Sequence, residues 1–141
     1  MRDRLLRALP LLTALLLMCV CCAAEESDET ELTAKGYVLV TAGSEARWFE
    51  LPESEDYTFS IRQTDAYGGE MNNTITLTPD GVYMQESDCE NQDCVGEGLV
   101  TLENKSERVL GNMIVCLPHQ IMIELYSLDE VLAMTAEEDA Q

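Results

Sequence analysis

Asn73-Thr74-Ile75-Thr76-Leu77-Thr78-Pro79-Asp80-Gly81-Val82-Tyr83-Met84-Gln85 decides how this chain is read. Ile75 and Leu77 alternate with threonines, so an extended segment here has one apolar and one polar side. Pro79-Asp80-Gly81 then turns the chain, because proline presets φ and glycine accepts positive φ. Val82 to Gln85 resumes strand character and completes a hairpin.

The same pattern repeats on both sides. Upstream, Tyr37–Thr41, Arg47–Leu51 and Tyr57–Ile61 read as strands, separated by Ala42-Gly43-Ser44 and by Pro52–Asp56. Tyr67–Glu70 is a further turn. Downstream, Ser87–Gly98 is too polar for a strand, and Leu99–Leu102 resumes one. Glu103–Arg108 is a charged loop, and Met113–Leu117 is apolar enough for a central buried strand. Pro118 interrupts pairing, and Gln120–Leu125 is the last strand, with Ile121, Ile123 and Leu125 on one face. Ser127-Leu128-Asp129-Glu130 matches a capping box, which predicts a short helix to about Ala136, with a frayed tail as the alternative.

Short strands at regular spacing predict an all-β fold, a small barrel or sandwich of antiparallel strands over residues 35–126. A short helix or disordered acidic tail follows over 127–141. The expected core is Val38, Val40, Trp48, Phe49, Phe59, Ile61, Ile75, Leu77, Val82, Met84, Leu99, Ile114, Ile121 and Ile123.

The start of the chain is different in kind. Arg2, Arg4 and Arg7 form a basic flank, and Ala8–Ala24 carries no charge. Residues 1–24 therefore read as a hydrophobic helix that is either an export signal or a membrane anchor. Cleavage after Ala24 would secrete the chain, and lipidation at Cys19, Cys21 or Cys22 is a third route. If uncut or lipidated, residues 5–24 would hold the chain at a membrane. An acidic tether, 25–34, follows. Each route places the remainder outside the cytoplasm.

That remainder is acidic. The whole chain carries a formal net charge of −19, and removing the leader's three arginines and Asp3 takes it to −21. Such a surface repels phosphate backbones, which excludes nucleic acid as a partner. No HExxH, phosphate-binding glycine loop or dinucleotide fingerprint is present.

Chemistry concentrates in two segments, Ser87–Val95 and Ile114–His119. Cys89, Cys94, Cys116 and His119, the only histidine, have the spacing C-x4-C-x21-C-x2-H. Two close pairs of soft or borderline ligands can hold zinc tetrahedrally. A Rieske cluster would need a second histidine, so the count excludes it. Outside the cytoplasm the preferred reading is a structural disulfide between two of the three cysteines, with one spare thiol. A redox-active thiol pair is the third reading.

At these segments the sequence resembles the NusG domain II family, in its stand-alone exported members. The resemblance rests on Asp80-Gly81, Ser87-Asp88-Cys89, Cys94-Val95, Gly98-Leu99-Val100, Ile114-Val115-Cys116-Leu117-Pro118-His119 and Ile121–Ile123. It covers roughly residues 35–125. Glu90 stands where the family usually has proline, and Glu103–Asn112 is longer than usual. The resemblance implies a compact barrel-like β domain, often behind one membrane segment, and brings no established activity. The expectation is an extracytoplasmic, membrane-associated accessory or interaction module. It has an unknown protein partner, no cofactor and no identified catalytic activity. A thiol-redox or zinc-binding module is the alternative.

Overall fold

A computed structural model describes residues 32–138. The signal or anchor expected over 1–24, most of the tether and the last three residues lie outside the described residues.

Eight strands form two four-stranded antiparallel sheets. They are β1 (Gly36–Ala42), β2 (Glu45–Glu50), β3 (Tyr57–Thr64), β4 (Glu70–Thr78), β5 (Gly81–Ser87), β6 (Val100–Thr101), β7 (Met113–Cys116) and β8 (Ile121–Ser127). One sheet has the order β2-β1-β8-β7 and the other β3-β4-β5-β6. A four-residue helical turn, α1 (Asp93–Gly96), follows β5, and an eleven-residue helix, α2 (Leu128–Glu138), follows β8. Among the described residues no helix is long and apolar enough to cross a membrane.

The sheets do not close into a barrel. The chain crosses between them twice, from β2 to β3 and from β6 to β7. The first crossing, Pro52–Asp56, leaves the ladder after β2, and Pro52 has no N–H to extend it. β2 and β3 meet through side chains instead, with the Phe49 and Phe59 rings stacked at a centroid distance of 4.4 Å.

Alternation selects the core. Val38 and Val40 of β1, Ile75 and Leu77 of β4, Val82 and Met84 of β5, Ile114 of β7, and Ile121, Ile123 and Leu125 of β8 are all buried. Burying each such side chain is worth about 1.5–3 kcal/mol. Phe49, Phe59 and Ile61 pack against this cluster from its rim.

Two expected core residues lie outside it. Trp48 is 50% exposed, because its neighbour Phe49 takes the inward position and successive strand residues face opposite ways. Trp48 packs on Tyr126 on the outer face, with ring centroids 5.6 Å apart. Leu99 is exposed, because the strand there shortens to Val100–Thr101 and Val100 takes the buried position. The expected central strand β7 is an edge strand, paired only with β8. Its apolar content covers the core on one side and meets α1 at its end.

The capping box forms. Glu130 Oε2 accepts the Ser127 backbone N–H at 2.7 Å, and Ser127 Oγ accepts the Glu130 N–H at 3.3 Å. Helix α2 lies against β1 and β8, and it buries Val131.

Candidate functional site

The site is made by a break in the β4–β5 ladder. Ile75 pairs with Met84, but Thr74 pairs with Glu86, so Gln85 is an extra residue on β5. Val82 and Met84 point inward. Without the bulge the next inward residue would be Glu86, a carboxylate in the core. With it, Glu86 is exposed and Ser87 is buried. Asn73 pairs with Ser87 and lies in phase with Ile75 and Leu77, so it also faces inward.

Ser87 is the hub. Its Oγ donates to Asn73 Oδ1 at 2.7 Å and accepts the Cys89 N–H at 3.2 Å. It also lies 4.0 Å from Cys116 Sγ. The loop beyond is pinned by Gln92, whose Nε2 donates to the Ser87 and Cys89 carbonyls, both at 2.6 Å. Gln92 has φ +56° and Gln120 has φ +53°, the two non-glycine residues in the left-handed region among those described. Gln92 lies between Cys89 and Cys94, and Gln120 ends the turn that follows Cys116, where such strain is held in place by its surroundings.

These turns bring three thiols together. Cys89 follows β5, Cys94 lies in α1 and Cys116 ends β7. Their sulfurs all lie within 4.8 Å of one another. Cys89 Sγ and Cys94 Sγ are 3.6 Å apart. A disulfide requires about 2.05 Å. At this spacing the expected structural disulfide finds no support, and all three cysteines are free and buried.

His119 lies beside this trio but not in it. The turn after Pro118 buries it, with Nδ1 3.0 Å from Asn73 Oδ1 and Nε2 3.4 Å from Asp88 Oδ1. Both nitrogens thus face oxygen acceptors. Asp88 is itself fixed by Asn72, whose backbone N–H and side-chain amide reach its two oxygens at 2.8 and 2.9 Å. Those bonds hold the Asp88 carboxyl below its ordinary range, with His119 helping.

The thiols differ in acidity. Burial pushes Cys94 up to about 12, reinforced by Cys116. Burial would raise Cys89 too, but hydrogen bonds from Ser87, Cys94 and the Gln92 backbone outweigh it and hold that thiol below its usual value. The two neighbouring thiols are thus shifted in opposite directions by the same cluster.

Among the four candidate ligands read from the sequence, the structure gathers Cys89, Cys94 and Cys116 and places His119 one hydrogen-bonded step away. Asn73 and Ser87, the residues joining them, were not anticipated. Asn73 was detectable as a polar residue in phase with Ile75 and Leu77. Ser87 was not, because its inward aim depends on the bulge.

Fold and site together define a small two-sheet β domain with a closed thiol cluster between the end of β5 and the end of β7. The sequence matches NusG domain II over residues 11–129, and the chain belongs to that family. Similar solved structures include the Lin0431 protein from Listeria innocua. Its crystal structure is 20% identical with a TM-score of 0.53, covering 66% of this chain and 97% of that one. Its solution structure, also 20% identical, has a TM-score of 0.54 and covers 70% and 79%. A DUF1312 family protein (EF3258) from Enterococcus faecalis V583 is 18% identical with a TM-score of 0.49, covering 67% and 99%. No curated protein matches the sequence.

Proposed function

We propose that this chain is a non-catalytic accessory module, displayed outside the cytoplasm from a membrane and acting through a protein partner. The carrying observation is the burial of its reactive groups. Cys89, Cys94, Cys116 and His119 are each at most 5% exposed, so no substrate reaches them while the domain stays closed. The outer surface offers contacts of another kind: Trp48 and Tyr57 are half-exposed on the edge strands β2 and β3. Membrane attachment rests on the basic flank and uncharged run of residues 1–24.

The test uses the full chain in its membrane. Protease added outside intact spheroplasts should digest the β domain, and gentle detergent extraction should retain a stoichiometric protein partner. Protection from the protease, or catalytic turnover by the pure protein, would overturn the reading.

A second reading, a thiol-redox or metal-binding module, is favoured by the convergence of three sulfurs within 4.8 Å. Thiol titration and elemental analysis of protein purified without chelator test it. Three inert thiols and no metal would remove it.

A further inference from the structure

We propose that Cys89, Cys94 and Cys116 form a closed three-sulfur site for one monovalent copper ion. The inference rests on the second reading above and names its ligand. The donor set is the first argument: soft thiolates select copper(I), zinc or iron–sulfur clusters. Coordination number then separates these. Structural zinc takes four ligands in a tetrahedron, with sulfurs about 3.8 Å apart when bound at about 2.3 Å. Cys89 and Cys94 meet that spacing at 3.6 Å. Among the described residues a fourth protein ligand is missing, because His119 directs Nδ1 to Asn73 and Nε2 towards Asp88. Copper(I) needs no fourth ligand, since three thiolates in a plane complete its shell.

The surroundings suit a buried anionic cluster. Three thiolates around a single positive charge leave a net negative site, which is costly to bury without donors. Ser87 Oγ lies 4.0 Å from Cys116 Sγ, and its one proton goes to Asn73 Oδ1, so serving the cluster requires the hydroxyl to turn towards Cys116. Gln92 Nε2 lies 3.9 Å from Cys89 Sγ with both protons on carbonyl oxygens. Behind Ser87, the buried Asn73 Nδ2 has no hydrogen-bond partner among the described residues. It is a spare donor next to the group that touches the cluster. The sulfurs come from three separate elements, so one ion would join the loop after β5, α1 and β7. Binding exchanges S–H bonds for Cu–S bonds, and the thiol protons leave to solvent. Copper enters already reduced, so no electron is transferred.

The experiment titrates full-length, detergent-solubilised, fully reduced protein with copper(I) under anaerobic conditions, against the competing chelator bicinchoninate. One ion per chain is expected, with X-ray absorption reporting three sulfurs and no nitrogen. Ser87→Ala, which leaves all three ligands in place, should weaken uptake by about 10-fold or more. Cys116→Ser should abolish three-sulfur binding, and its circular dichroism checks that it folds. The wild-type absorption spectrum stands by itself if it does not. Absence of uptake, or a shell containing His119 nitrogen, would overturn the proposal. So would a preference for zinc, or a stable Cys89–Cys94 disulfide in place of the metal. A preference for zinc preserves the broader metal reading, whereas a stable disulfide without metal, or three thiols inert to metal and oxidant, would defeat both.

Discussion

At Gly81 an added Cβ would lie 1.8 Å from the Val100 carbonyl oxygen and 2.8 Å from its carbonyl carbon. The turn Pro79-Asp80 suggests a glycine chosen for positive φ, but Gly81 is not among the glycines with positive φ. The turn is instead held by Thr78, whose Oγ1 accepts the N–H groups of Asp80 and Gly81 at 3.3 and 3.0 Å. What Gly81 supplies is room for β6. Gly81→Ala should therefore cost about 3 kcal/mol, because a backbone neighbour cannot move aside as a side chain can. Urea denaturation followed by circular dichroism measures it, and a loss under half that would refute the close approach. Gln92 and Gln120 give a matched pair. Both hold left-handed φ, which costs a non-glycine residue roughly 1–2 kcal/mol. Gln120 has no side-chain hydrogen bond among those described, so Gln120→Gly should raise stability by up to about 1 kcal/mol after glycine's entropy is counted. Gln92 spends its amide on two carbonyls at 2.6 Å. Gln92→Gly should therefore lower stability by about 1 kcal/mol despite the same relief of strain. Equal effects at the two positions would show that the Gln92 amide does not anchor the loop.

Among the elements, α2 is the one whose start the sequence specifies most locally. Ser127→Ala should cost about 1 kcal/mol through loss of the cap. Its acidic half adds a pH dependence. Burial would raise the Glu130 carboxyl, but the Lys105 ammonium and the Ser127 N–H and hydroxyl outweigh it, so its folded value lies below the ordinary one. A carboxyl depressed on folding stabilises fully above its unfolded value, about 4.3, and loses that contribution as pH falls through the folded value. The stability gap between the wild type and Glu130→Gln should thus be constant near neutrality and shrink below about pH 4.3. Thermal unfolding across that range checks it, and a gap that grows on acidification would reverse the assignment. The same scale shows what the sequence revealed. Strands with clean alternation, such as Asn73–Thr78, and the capping box were legible because their determinants are a few residues apart. Whether β7 is central or at an edge was not, since an apolar run records burial and not the number of paired neighbours. The bulge at Gln85 was equally hidden, because it is fixed by pairing with β4. So the three cysteines could be named from spacing, while the position of Ser87 between Cys116 and Asn73 could not.

Across the whole molecule, the thiol cluster is where the two sheets are tied at one end. Cys116 belongs to the sheet containing β8, and Cys89 leaves the sheet containing β4. α1 contacts both β5 and β7. Arg108 reinforces this tie from the long charged loop. Its Nη1 donates to the Gly111 and Met113 carbonyls, both at 3.1 Å, and its Nη2 to the Glu97 carbonyl and carboxylate at 3.0 and 2.9 Å. The guanidinium and the carboxylate are both largely buried, so removing one partner leaves the other short of its bonds. Two routes can then expose the thiols: local detachment of the segment from Cys89 to Glu97, or separation of the sheets. They predict different labelling patterns. Leu77→Ala empties a core position in β4 at a cost of about 2–5 kcal/mol, and it should speed alkylation of Cys89, Cys94 and Cys116 by one common factor. Arg108→Ala should speed Cys89 and Cys94 more than Cys116, because it frees the loop while β7 keeps its pairing with β8. Mass spectrometry of alkylated peptides over time resolves the three sites. If Arg108→Ala accelerates all three alike, the loop does not open by itself, and the cluster is sealed only by the packing of one sheet against the other.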